Sequence, residues 1–96
     1  MQLGKIIHVL IGRLSETGIE PDLIPGFMKS LLNIFKGDPH LAPGQANSRL
    51  RYLGWDGIEL DYHTLQLAIA CFEADGLTQL AEESARWTAG NRRQAA

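Results

Sequence analysis

Three histidines, His8, His40 and His63, the single cysteine Cys71 and the run Asp61-Tyr62-His63 are the residues of this chain suited to acid–base, nucleophilic or metal chemistry. A zinc site needs ligands close in space, and one helix provides them at a spacing of about four residues. The histidines lie 32 and 23 residues apart and the cysteine is next to none of them. Spacing therefore predicts no metal and no cofactor. A carboxylate beside an imidazole suits general acid–base work. On a helix, however, residues two apart point in different directions. Asp61 precedes an apolar run and reads more simply as a helix N-cap, accepting a bond from the backbone N–H of His63 or Thr64. A reactive thiol needs an electropositive, partly exposed setting. Cys71 instead lies in the apolar stretch Leu67-Ala68-Ile69-Ala70-Cys71-Phe72 and reads as core. No glycine-rich phosphate loop is present. The polar residues thus predict a non-enzymatic protein with no small-molecule substrate.

Residues of another kind point to binding. Tyr52 and Trp55 bracket a glycine beside Arg49 and Arg51, and Trp87 follows Arg86. Tyrosine, tryptophan and arginine are enriched where proteins grip partners. Arg49, Tyr52, Trp55 and Trp87 are the candidate partner-binding residues, with a protein partner or a second copy of the chain as the expected ligand. Off-face Val9 and Ile34, if exposed, would add an apolar patch for a symmetric dimer. Against this, a tryptophan in so small a domain serves equally to cover the core.

The elements that must position these residues follow from apolar spacing. Leu3, Ile6, Ile7, Leu10, Ile11 and Leu14 recur as one face of a helix. Gly18 is placed to end it, folding Ile19 back onto Leu14. Pro21 and Pro25 cannot both lie inside one regular helix, so a short turn over Pro21–Leu23 is expected, then a second helix with Pro25 in its first turn. Its face is Ile24, Phe27, Met28, Leu31, Leu32 and Phe35, and Gly37-Asp38-Pro39 stops it. Pro43 opens a third helix to about Leu53, with Ala46, Leu50 and Leu53 inward and Gln45, Asn47 and Ser48 facing elsewhere. Gly54 closes it and sets Trp55 over Leu50. A turn with a short extended piece leads to Asp61. The fourth helix, apolar nearly all round, runs to Asp75 and stops at Gly76. A fifth runs from about Thr78 to Ala89 with Leu80, Ala81, Ala85 and either Trp87 or Thr88 inward, and Gly90 ends it. The pattern predicts an all-α fold, a small single-domain bundle of four to five short, non-parallel helices over residues 1–90, with a flexible C-terminal tail at 91–96.

Composition narrows the function classes. The chain has 96 residues, 45% hydrophobic and 21% charged, the balance of a globular domain rather than a disordered one. No apolar run reaches the ~20 residues of a membrane-spanning helix. The first residues lack the pattern of a secretory leader, and one cysteine makes no internal disulfide. A soluble, cytoplasmic protein is expected. A domain this small buries only about 60–65% of its unfolded surface, so its apolar residues are largely committed to the core. Net charge is −2, from nine basic and eleven acidic side chains, which disfavours coating a polyanion. A DNA-binding regulator built like a helix-turn-helix remains the alternative. Helix 3, turn and helix 4 have that order, but seven residues connect Gly54 to Leu60, against the usual three or four. The would-be reading helix opens with Asp61 and carries no lysine or arginine, so nucleic acid is the less expected partner.

Overall fold

The protein is an all-α bundle of five α-helices and one 3-10 turn, with no strand among the described residues. The computed structural model describes the backbone of residues 2–95 and the side chains of residues 2–89. Helix α1 spans Leu3–Glu16, the 3-10 turn Pro21–Leu23, α2 Ile24–Gly37, α3 Pro43–Tyr52, α4 Tyr62–Glu73 and α5 Leu77–Ala95. Helix α1 buries Ile7, Leu10, Ile11 and Leu14, the helical stripe expected, and packs against α4 and α5. Fully burying one such side chain is worth about 1.5–3 kcal/mol. Four of them contribute on the order of a small domain's whole net stability. Helix α2 packs against α3 and α5, and the 3-10 turn also rests on α5.

Helix ends show which glycines are needed for their backbone. At the end of α1, Gly18 has φ +103°, its N–H bonds Ser15 O at 3.0 Å, and Ile19 N–H bonds Leu14 O at 3.3 Å. At the end of α3, Gly54 has φ +98°, its N–H bonds Arg51 O at 3.0 Å, and Trp55 N–H bonds Leu50 O at 2.9 Å. Both are the paired closures of a Schellman ending. The end of α4 departs from expectation by one residue. Asp75, with φ +54°, takes the left-handed position, and Gly76 N–H bonds Cys71 O at 2.9 Å. Gly76 sits in a tight space instead: a Cβ there would lie 3.0 Å from Leu3 Cδ1, 3.1 Å from Cys71 Sγ and 3.2 Å from Cys71 O. Gly37 is the last residue of α2. The chain leaves the helix at Asp38 (φ −149°, ψ 88°), because the following proline disfavours helical geometry there.

Other expectations are corrected by rotation of a helix about its axis. In α2 the buried set is Ile24, Phe27, Met28, Leu31 and Ile34, with Leu32 and Phe35 half-buried. Ile34 falls three residues after Leu31 and seven after Phe27, squarely on the core face, and Val9 is half-buried. The apolar dimer patch expected from these two residues is therefore not present. In α5, Leu80 and Ser84 are buried while Ala85 is exposed. The helix starts at Leu77 and its inward stripe runs through 77, 80, 84 and 87–88. The backbone of α5 continues to Ala95 rather than stopping at Gly90. One glycine costs a helix about 1 kcal/mol, and the arginines, glutamine and alanine that follow are good helix formers. Side chains of the expected tail at 91–96 lie outside the described residues. The connection from α3 to α4 forms no strand, and its last residue, Asp61, has extended backbone (φ −87°, ψ 172°). Gly57 turns it with φ +79°, and Ile58 and Leu60 anchor it in the core.

Candidate interaction site

Arg49 and Tyr52 lie in the last turn of α3 and Trp55 three residues beyond it, while Trp87 is carried by α5. Helix α3 is held from three sides. Pro43 and Gln45 begin the helix, with Gln45 Oε1 accepting from Ala42 N–H at 2.9 Å. Asn47, expected to face away from the fold, reaches across the connection: its Oδ1 accepts from Leu60 N–H at 2.8 Å and its Nδ2 donates to Leu60 O at 3.1 Å. Trp55, half-buried, stands edge-on to Phe27 with ring centroids 5.3 Å apart, and its Nε1–H donates to Ser30 Oγ at 3.3 Å. The indole is a strut between α2 and the end of α3.

Tyr52 is left outside this framework at 92% exposed. Leu53, expected inward, is 54% exposed. It caps the helix with φ −86° and ψ 3°, and the Schellman turn places Trp55, not Leu53, over the core. Arg49, Tyr52 and Leu53 sit at positions 0, +3 and +4, so they share one face. Arg49 Nη2 donates to Asp38 Oδ2 at 3.4 Å, both side chains being substantially exposed. Asp38 Oδ1 also accepts from His40 N–H at 3.3 Å. The result is a tyrosine and a leucine projecting from a rigid helix end, beside a guanidinium that is paired but open to solvent. Leu53 was missed because helical spacing alone puts it on the Ala46–Leu50 stripe, and only the turn geometry takes it off.

The second candidate is differently built. Trp87 is half-buried and its Nε1–H donates to Glu83 Oε1 at 3.2 Å. Glu83 Oε2 accepts from Arg86 Nε at 3.1 Å, and His8 Nδ1 lies 4.0 Å from Glu83 Oε1. The His8 ring tilts against the indole at 5.5 Å. The Arg86 bond, helped by the Trp87 bond and by Arg86 and His8 nearby, holds the Glu83 carboxyl below its usual range.

Residues weighed for chemistry have structural partners. Asp61 caps α4, its Oδ1 accepting from Thr64 N–H at 2.7 Å. That bond, with the Thr64 hydroxyl and the Arg13 guanidinium 4.0 Å away, holds its carboxyl low. His63 is exposed. Cys71 is buried, and burial pushes its thiol up, away from the reactive thiolate. Among the described residues no three His, Cys, Asp or Glu side chains are grouped to hold a metal ion. No helix in the described residues is long and apolar enough to cross a membrane. Compared with known families, curated proteins and solved structures, the chain matches none.

Proposed function

We propose that this protein is a non-enzymatic helical interaction module that binds a protein partner through the C-terminal end of α3, in its simplest form a second copy of itself. The observation that carries this reading is the exposure of two adjacent large side chains, Tyr52 and Leu53, on a helix end fixed by Trp55 and Asn47. A tyrosine on a fixed backbone has only two side-chain torsions to lose on binding, which is why it serves so often as an anchor. Arg49 and Asp38 supply a polar rim of both signs beside it, and a two-fold interface makes such a rim self-complementary. A stable dimer needs about 800 Å² from each copy, so Tyr52 and Leu53 would form the centre of a patch extending over neighbouring residues of α3.

The helix-turn-helix alternative has less to support it. Arg49 is neutralised by Asp38. Residues 53–61 separate α3 from α4, and α4 commits Thr64, Leu65, Ala68 and Cys71 to the interior. A reading helix needs its middle free for a groove.

Sedimentation velocity and light scattering at micromolar concentrations test the self-association. The expected result is a mass that rises toward twice the monomer with concentration and is held at the monomer by Tyr52→Ser with Leu53→Ser. Wild-type protein that stays monomeric throughout, or a double variant that associates equally well, refutes it.

A further inference from the structure

A cleft of about 330 Å³ opens where the end of α1, the 3-10 turn and α5 meet, lined by Ser15, Gly18, Ile19, Glu20, Pro21 and Trp87. Its volume is at the lower end of the range for small-molecule sites and does not distinguish it from two other clefts of about 330 and 350 Å³. What distinguishes it is a tryptophan ring and a carboxylate in one lining. The end of α1 borders it through Ser15 and Gly18. Glu20, exposed and next to the Pro21 ring, adds a carboxylate. Trp87 adds an indole to the lining, the aromatic ring to which a cation binds best. The indole's position is fixed, since its Nε1–H is bonded to Glu83 at 3.2 Å and its ring lies against His8 and Gly12. Among the described residues, the arginines of the flanking segments are engaged elsewhere: Arg13, in the last turn of α1, lies 4.0 Å from Asp61, and Arg86 is bonded to Glu83.

We propose that this cleft binds an alkylammonium group, the head of a small organic cation seated against the Trp87 indole with Glu20 as its counter-ion. Ile19 and Pro21 supply the apolar wall for the alkyl part. The site is independent of the Tyr52–Leu53 surface and stands or falls separately from it.

The chain has two tryptophans, so a nitrogen-15 correlation spectrum contains two indole N–H signals, one of them assigned to Trp87 by its loss in Trp87→Phe. The folded protein is titrated at mildly alkaline pH with choline chloride and with n-butylammonium chloride, against potassium chloride and the neutral choline isostere 3,3-dimethylbutan-1-ol. The expected result is a saturable shift of the Trp87 signal with at least one ammonium, with Kd on the order of 10 mM and the Trp55 signal unmoved. Glu20→Gln is expected to weaken binding about threefold, the scale of an exposed ion pair. The substituted side chain is exposed, and an unmoved Trp55 signal reports that the fold is kept. A Trp87 shift that is equal with potassium chloride or the neutral isostere, that does not saturate with either ammonium, or that is unchanged in Glu20→Gln overturns the proposal.

Discussion

Replacing Asn47 with alanine removes a side chain that hydrogen-bonds α3 to the connection leading into α4. Its amide makes two bonds to Leu60, accepting from the N–H at 2.8 Å and donating to the carbonyl at 3.1 Å. Leu60 is only 3% exposed, so its backbone groups gain little from water when the amide is gone. Stranding a buried polar group costs about 1–3 kcal/mol. With some relaxation of the loop, Asn47→Ala should lose about 2–4 kcal/mol. At roughly 0.05–0.15 kcal/mol per residue, a domain of this length has about 5–14 kcal/mol in total, so the loss is a large fraction of it. The melting temperature should fall by about 10–25 °C, at roughly 4–8 °C per kcal/mol for a domain of this size. Urea unfolding followed by circular dichroism and tryptophan fluorescence measures this directly, with the slope in urea unchanged if only stability moves. Asn47→Asp separates the two bonds. It keeps the acceptor for Leu60 N–H, loses the donor and sets a carboxylate against the Leu60 carbonyl. It should therefore be destabilised at neutral pH and partly recover in acid, where a protonated carboxyl can donate. An Asn47→Ala protein within about 0.5 kcal/mol of wild type, the range of ordinary surface substitutions, would refute the reasoning.

Two further predictions concern helix ends. Gly76→Ala, whose Cβ would press on Leu3, Cys71 Sγ and the Cys71 carbonyl, should lose about 1–3 kcal/mol, as overpacking does. Asp75→Gly relieves a left-handed backbone (φ +54°) and should be neutral or gain up to about 1 kcal/mol after the added freedom of the unfolded chain. Paired melting curves that reversed this order would show that the two positions are assigned wrongly. Asp61 is held below its ordinary value of 3.8, first by the Thr64 N–H, so its ionised form stabilises the fold above that value and the contribution disappears as the pH falls below it. Glu83, held below 4.5 chiefly by Arg86, acts in the same direction. Asp61→Asn, which can still cap α4, should flatten the loss of stability between neutral and strongly acid pH. An unaltered pH profile in the variant would contradict this assignment.

Much of the architecture was legible in one dimension because its signals are local. Apolar residues three and four apart set the stripe of α1, Pro25 and Pro43 mark helix starts, Asp61 announces the cap of α4, and Gly18 and Gly54 supply the backbone that a Schellman ending needs. Each depends on residues within one or two turns of each other. Of the candidate binding residues, Arg49, Tyr52 and Trp55 were found together because they are neighbours in sequence. Their different fates were not legible: Trp55 is drawn to Phe27 and Ser30 on α2, Arg49 to Asp38, and Tyr52 to nothing among the described residues.

The tertiary structure decided whatever depends on a helix's rotation or on atoms far apart in the chain. Ile34 is core and Ala85 surface because a difference of about 100° per residue separates adjacent positions, and packing against other helices selects the rotation. Asn47 looks like a solvent-facing polar residue until Leu60, thirteen residues away, is folded against it. Gly76 resembles an ordinary helix stop until α1 brings Leu3 to its side. The cleft beside Trp87 belongs to no single segment, since its carboxylate, helix end and indole come from residues 15 to 21 and from residue 87. Composition and spacing determined that the chain folds into helices with their apolar faces inward. Which side chains those faces left outside, and which distant groups met, followed from the close packing of helices whose shapes had to fit one another.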